Sequence, residues 1–176
     1  MKYLYPENWP QFYTATIQGW KQLLEEDKYK DVIVQSLKHL VENKKVKVNV
    51  FALTITVGVN NHIHLVWQTL HGYTLDDIQT SFKKHTSKQF TKLLLEDKNI
   101  TQYKVTSPDR KHHFWKRNSL GIELFTEAVF IQKLNYIHYN PVKAGLCLHA
   151  EEYKYSSAMF YMKGIDNFGF LEHCKS

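Results

Sequence analysis

The chain has 176 residues, a formal net charge of +6 and a pI near 9.1. Its hydrophobic fraction of 43% against 23% charge is ordinary for a globular protein, and the length suffices for one domain with a sizeable core. Two cysteines, Cys147 and Cys174, lack metal-type spacing, which argues against a disulfide framework or a thiolate metal site. No apolar run reaches the ~18 residues needed to span a bilayer, and the stretch from Met1 to Glu7 has no apolar signal core. A soluble, cytoplasmic protein is expected, with one domain over 1–176, a core from about 10 to 160 and a tail over 161–176.

Gln11 to Gln18 sets Phe12, Thr14 and Thr16 against Tyr13, Ala15 and Ile17, the alternation of a strand. From Tyr29 to Asn43 the apolar residues fall at 29, 32, 33, 37, 40 and 41, a helical stripe. Val46 to Val57 is β-branched and alternates in two phases, Val46, Val48 and Val50, then Leu53, Ile55 and Val57. That pattern predicts a strand bent midway. Gly58 to Asn61 supplies turn residues, and His62 to Thr69 returns as the hairpin partner.

Leu75 to Leu95 predicts a helix, and Asp97 to Arg110 a loop. His113 to Arg117 and Gly121 to Phe125 predict a further strand or a hairpin. Thr126 is placed to cap a helix that runs through Ile137 and is expected to end at Pro141, with Gly145 in the following turn. Residues from Glu151 onward are expected to form a short helix or a loop. The order strand, helix, two strands, helix, strand, helix suits an α+β fold: a ferredoxin-like sandwich, with helices packed on an antiparallel β-sheet.

The positive charge is local. Ten Lys and Arg stand between Lys83 and Arg117, against Glu96, Asp97 and Asp109. Such a segment suits a phosphate-tracking surface, and DNA contacts are expected from Lys83, Lys84, Lys88, Arg110, Lys111, Trp115, Lys116 and Arg117.

Two short segments carry chemistry. In a strand, residues i and i+2 share a face, so His62 and His64 project together and can grip one metal ion. On a helix, i and i+4 share a face, so Tyr136 and Asn140 address one point, with Asn140 offering an amide oxygen as third ligand. Mixed N/O ligation with open positions suits Mg²⁺ or Mn²⁺. Tyr136 is the candidate nucleophile. A phenol ionises near pH ~10 in water, so attack on phosphorus needs activation, which a divalent ion supplies. Lys133, one turn earlier, is either a phosphate contact or a solvated lysine.

These segments resemble the HUH single-tyrosine transposases, in particular the REP-associated tyrosine transposase branch of the insertion-sequence transposase superfamily. Asn61-His62-Ile63-His64-Leu65 is similar to that family's N-H-x-H-L strand, and Phe82-Lys83-Lys84-His85-Thr86-Ser87 to its basic second helix. His113-Phe114-Trp115-Lys116-Arg117 resembles its aromatic-basic strand, Tyr136 to Gly145 its Y-I-H-x-N-P-V-K-A-G signature, and Tyr155-Ser156-Ser157 the short motif that follows. The resemblance implies a ferredoxin-like catalytic domain that binds single-stranded, hairpin-containing DNA. It implies cleavage through a 5′-phosphotyrosine intermediate with a divalent ion, with Tyr136 as nucleophile and His62, His64 and Asn140 as ligands. Val59-Asn60-Asn61 departs from the family's usual Met-Pro-Asn. Whether one chain or a homodimer completes the site stays open.

Two other classes fit less well. A domesticated DNA-hairpin-binding protein has no need of the four catalytic side chains. A histidine-triad hydrolase needs a third alternate histidine where this chain has Val66, and an H-x-H barrel hydrolase needs about 250 residues.

Overall fold

The computed structural model describes residues 8–55, 61–103 and 113–174. Its strands are β1 (Gln11–Thr16), β2 (Val46–Thr54), β3 (His62–Thr69) and β4 (Leu120–Glu123). Its helices are α1 (Asp27–Glu42), α2 (Leu75–Glu96), α3 (Glu127–Lys143) and the short α4 (Ala158–Lys163). The sheet is antiparallel in the order β2-β3-β1-β4. With α1 and α2 as the two crossovers, this is the ferredoxin-like plan. Among the described residues, no helix is long and apolar enough to cross a membrane.

Period-two alternation divides the core between the two faces of the sheet. Tyr13, Ala15, Ile17, Ile63, Leu65 and Trp67 meet Ile33, Leu37, Phe82 and Phe90 of α1 and α2. Phe12, Val50, Ala52 and Val66 meet Ile137, Phe130 and Leu134 of α3 on the opposite face. Helix α3 therefore crosses the face that the two crossover helices leave open. Thr126 starts it as a cap, its hydroxyl accepting from Val129 N at 3.3 Å.

The bend in β2 falls at Asn49, ahead of the interval between Val50 and Leu53 where the apolar phases change. The register passes from Val48↔Trp67 to Val50↔Val66, so Asn49 is an extra residue with no opposite number in β3. This bulge reverses the parity of the strand. Val46 and Val48 face α1 and α2, Val50 and Ala52 face α3, and Phe51 and Leu53 return to the first side.

Two further expectations are corrected. Of the two segments expected to make a further strand or a hairpin, Gly121 to Phe125 supplies most of β4, whereas His113 to Arg117 form neither a strand nor one arm of a hairpin. Trp115 makes a single bridge to Ile17, and β4 then follows it along the same edge of β1. Nor does Pro141 end α3. A proline removes one N–H, yet Ala144 N still donates to Asn140 O at 3.0 Å and the helix continues to Lys143. Its end is made by Gly145, at φ 72°, with Gly145 N bonded to Val142 O and Leu146 N to Pro141 O.

The residues after α4 join the core. Leu171 bridges Val48 in parallel, Glu172 N donates to Val48 O, and Phe170 packs against Phe51. The Asp166 carboxylate accepts from Phe168 N, Gly169 N and Leu171 N, which folds the segment back onto the β2 edge. The turn residues Gly58 to Asn60, including most of the Val59-Asn60-Asn61 departure, lie outside the described residues.

Gly145→Ala forces a side chain into the left-handed region. The expected loss is about 1 kcal/mol of stability, read as a lower urea midpoint at unchanged slope.

Candidate active site

Strand β3 is hydrogen-bonded on both sides, with His62 opposite Thr16 and Thr54, and His64 opposite Thr14 and Ala52. The strand thus fixes both imidazoles on the α3 face. Their ring centroids are 4.4 Å apart. His64 is buried and lies nearly parallel to Phe12, at 5.7 Å and 18°. Just before them, Asn61 is also buried. With its amide oriented to satisfy both ends, it donates to Gln22 Oε1 at 2.8 Å and accepts from Leu24 N and Leu23 N. The residue ahead of the histidines is therefore an anchor that ties the start of β3 to the turn before α1.

Helix α3 delivers Tyr136 to this cluster. Its ring stands edge-on to His64, at 5.2 Å and 68°, and to Phe12 at 6.0 Å. Tyr136 is 45% exposed, so the phenol borders both the buried imidazole and solvent. The structure brings His62, His64 and Tyr136 together from one chain. Asn140 lies one helical turn beyond Tyr136 and is half-buried. Among the described residues, no hydrogen bond joins its carboxamide to either imidazole.

Two neighbours of the cluster carry no sequence signal that links them to it. Thr14 Oγ1 lies 2.7 Å from His64 Nδ1, across the β1–β3 ladder. With Nδ1 engaged there, Nε2 is the nitrogen left to face a ligand. Phe12 forms the floor on which both His64 and Tyr136 rest. The i, i+2 pattern of β1 puts Phe12 and Thr14 on one face, but only the pairing reveals which histidine they meet. Lys133, ambiguous in sequence, holds its ammonium 4.7 Å from the Phe12 ring centroid and 5.9 Å from that of Tyr136.

Burial holds the pKa of His64 down to about 3, and the nearby charges of His62 and Lys133 push in the same direction. His64 is therefore neutral at physiological pH, the form in which imidazole binds a cation. Among the described residues, no group of three or more His, Cys, Asp or Glu side chains is placed to hold a metal ion. The donor set here has two such residues, with Asn140 as the candidate third. Two close imidazoles, one of them buried, neutral and oriented through Nδ1, fit a divalent ion with nitrogen affinity.

The basic residues gather elsewhere. A groove of about 990 Å³ runs between α2 and residues 113–119, with Lys83, Lys84, Lys88, Lys116 and Arg117 along it. Lys83 Nζ donates to Lys116 O at 3.1 Å and so ties the far wall to the helix. Lys84, Lys88 and Arg117 are exposed. Trp115 differs from the expectation of a DNA-contacting ring. It is 3% exposed, packed against Phe82 and Phe90, with its indole N–H bonded to Thr86 Oγ1 at 2.9 Å. It supports the groove from beneath and has no open ring face for a base. Arg110 and Lys111 lie outside the described residues. The groove belongs to the α2 side of the sheet, whereas Tyr136 and the histidines occupy the α3 side.

No family model matches the chain, and no curated protein matches it. Among solved structures, it is similar to a REP-associated tyrosine transposase bound to a REP hairpin. That likeness has a TM-score of 0.63 and 15% identity, covering 100% of this chain and 98% of the other. It is also similar to a protein from Deinococcus radiodurans R1 provisionally described as a transposase, with a TM-score of 0.47 and 13% identity, covering 80% of this chain and 96% of the other. The first of these likenesses establishes a shared fold.

Thr14→Val removes the hydrogen bond at His64 Nδ1 while nearly preserving volume. If the imidazoles hold Mn²⁺, the expected result is an affinity about tenfold weaker, measured by calorimetry, with the far-UV circular dichroism unchanged.

Proposed function

We propose that this protein is a tyrosine-dependent DNA strand-cleaving and rejoining enzyme of the transposase type, acting on single-stranded DNA that carries a hairpin. The observation that carries the reading is the edge-on approach of the exposed Tyr136 ring to His64, 5.2 Å away, beside a second imidazole. The shared fold with a transposase bound to a DNA hairpin supports it. So does the motif pair His62-Ile63-His64 and Tyr136 to Gly145. The basic groove supplies the electrostatics for a polyanionic partner.

In this reading the Tyr136 phenol oxygen attacks the phosphorus of a phosphodiester. The new O–P bond forms as the bond to the 3′ oxygen breaks, leaving a 5′-phosphotyrosine and a free 3′-OH. The phenol proton passes to solvent, and the departing oxygen takes one up. Because the ester keeps the energy of the broken linkage, a 3′-OH can reverse the step without ATP. A divalent ion, Mg²⁺ or Mn²⁺, held by His62, His64 and Asn140 would supply Lewis-acid polarisation of the phosphate. Lys133 places a cation beside the phenol, where it favours an approaching phosphate and opposes protonation of His64. Thr14 orients His64. Phe12 packs against both rings. The reading needs no exchange of α3 between copies, since Tyr136 and both imidazoles come from one chain. A homodimer is compatible with it but is not required.

The test uses a 3′-labelled pool of single strands, each carrying a hairpin with randomised flanks, incubated with Mn²⁺. The wild-type protein acquires the label covalently, whereas Tyr136→Phe does not and still binds the pool. A label that survives in the variant removes Tyr136 from the role. Steeply salt-dependent binding with no adduct from either protein would leave a hairpin-holding protein in place of an enzyme.

The groove yields its own expectation. Replacing Lys84, Lys88 and Arg117 together by alanine reduces the slope of log affinity on log salt. The reduction is about 0.7 to 0.9 for each phosphate left without its cation, with little dependence on sequence.

A further inference from the structure

Apolar contacts of Phe130, Leu134 and Ile137 hold α3 on the sheet. Such burial is strong but non-directional, and it tolerates small slides and rotations of a helix. Tyr136 has to meet His64 at one particular place, so something directional must fix the helix lengthwise.

His138 lies two residues past Tyr136 and two before Asn140, and it is buried. Its Nε2 is 2.8 Å from Ser157 Oγ. Ser157 in turn is clamped to β2. Phe51 N donates to Ser157 Oγ at 2.9 Å, Ser157 N donates to Phe51 O at 2.9 Å, and Ser157 Oγ lies 3.2 Å from the same carbonyl. One residue along, Ala52 is the β2 partner of His64 and forms a bridge to Ser156. Tyr161 closes the cluster from outside. Its ring packs on His138 at 5.4 Å and its hydroxyl donates to Asn49 O, at the bulge, at 3.1 Å. The contacts form a closed circuit: Tyr136 to His64, across the ladder to Ala52, to Phe51, to Ser157, to His138, and back along α3 to Tyr136.

We infer that His138 and Ser157 are positioning residues, a buried latch that sets where Tyr136 stands against His64. The inference rests on the cleavage reading above only for its consequence in rate; the geometric claim stands by itself. A latch of one buried hydrogen bond adds little to the attraction already supplied by three apolar side chains. Its contribution is direction, and a displacement of ~1 Å at a reacting group is enough to lower a rate about 10²-fold.

The experiment compares Ser157→Ala, His138→Leu, the double variant, and His138→Gln, whose amide nitrogen can take the place of Nε2. Three quantities are read on the full chain: the single-turnover rate of adduct formation at saturating DNA with Mn²⁺, DNA affinity in EDTA, and the urea midpoint. Ser157→Ala and His138→Leu are each expected to slow adduct formation by between ~10-fold and ~100-fold. DNA affinity stays nearly unchanged, and the double variant is no slower than the worse single one, because both remove the same bond. His138→Gln recovers most of the rate. Additive losses, losses explained by the unfolded fraction, or no recovery with Gln would overturn the assignment.

A second readout needs no chemistry and serves if the leucine variant does not fold. The NMR resonance of the His64 ring senses the Tyr136 ring edge-on to it. It should move in Ser157→Ala in the direction seen in Tyr136→Ala, and remain in place in His138→Gln. If wild-type protein makes no adduct, the cleavage reading fails while this shift still decides the latch; an unmoved His64 resonance in Ser157→Ala refutes it.

Discussion

The ladder that holds β3 between β1 and β2 is the constraint on which the rest of the site depends. Hydrogen bonds on both edges leave the strand no freedom to turn about its axis. Alternation then sends Ile63, Leu65 and Trp67 into the core beneath α1 and α2, and His62 and His64 toward α3. A slip of one residue would bury both imidazoles among apolar side chains and expose Trp67. The register that protects the core is thus the same register that presents the histidines. Stability and site geometry share a single determinant here.

Helix α3 is held by a division of labour. Its apolar stripe supplies most of the free energy, at about 1.5–3 kcal/mol for each large side chain fully removed from water. A buried hydrogen bond such as that of His138 adds only about 1 kcal/mol net, yet it alone has direction. The Asn49 bulge serves the same end. By reversing the parity of β2, it turns Val50 and Ala52 toward α3 and leaves a backbone carbonyl for the Tyr161 hydroxyl.

Much of this was legible in the sequence because it is local. The helical stripe of α1, the alternation of β1 and β3, the Thr126 cap and the shared face of His62 and His64 all depend on spacing within one element. The features that escaped depend on pairing between distant residues. Nothing in the sequence places Thr14 opposite His64, fifty positions away, or His138 beside Ser157. The parity change at Asn49 was visible as two apolar phases, but a pattern cannot show at which residue a strand bulges. Trp115 misled because an aromatic among basic residues reads alike as an exposed stacking ring or as the floor beneath a charged rim. Pro141 misled for another reason. The loss of one hydrogen bond is tolerated where a Gly145 turn closes the helix a few residues later.

The basic groove and the Tyr136 cluster lie on opposite sides of one sheet. A duplex is stiff over ~150 base pairs and cannot double back around an edge of that size. A single polyanion touching both places would therefore need a flexible stretch between them.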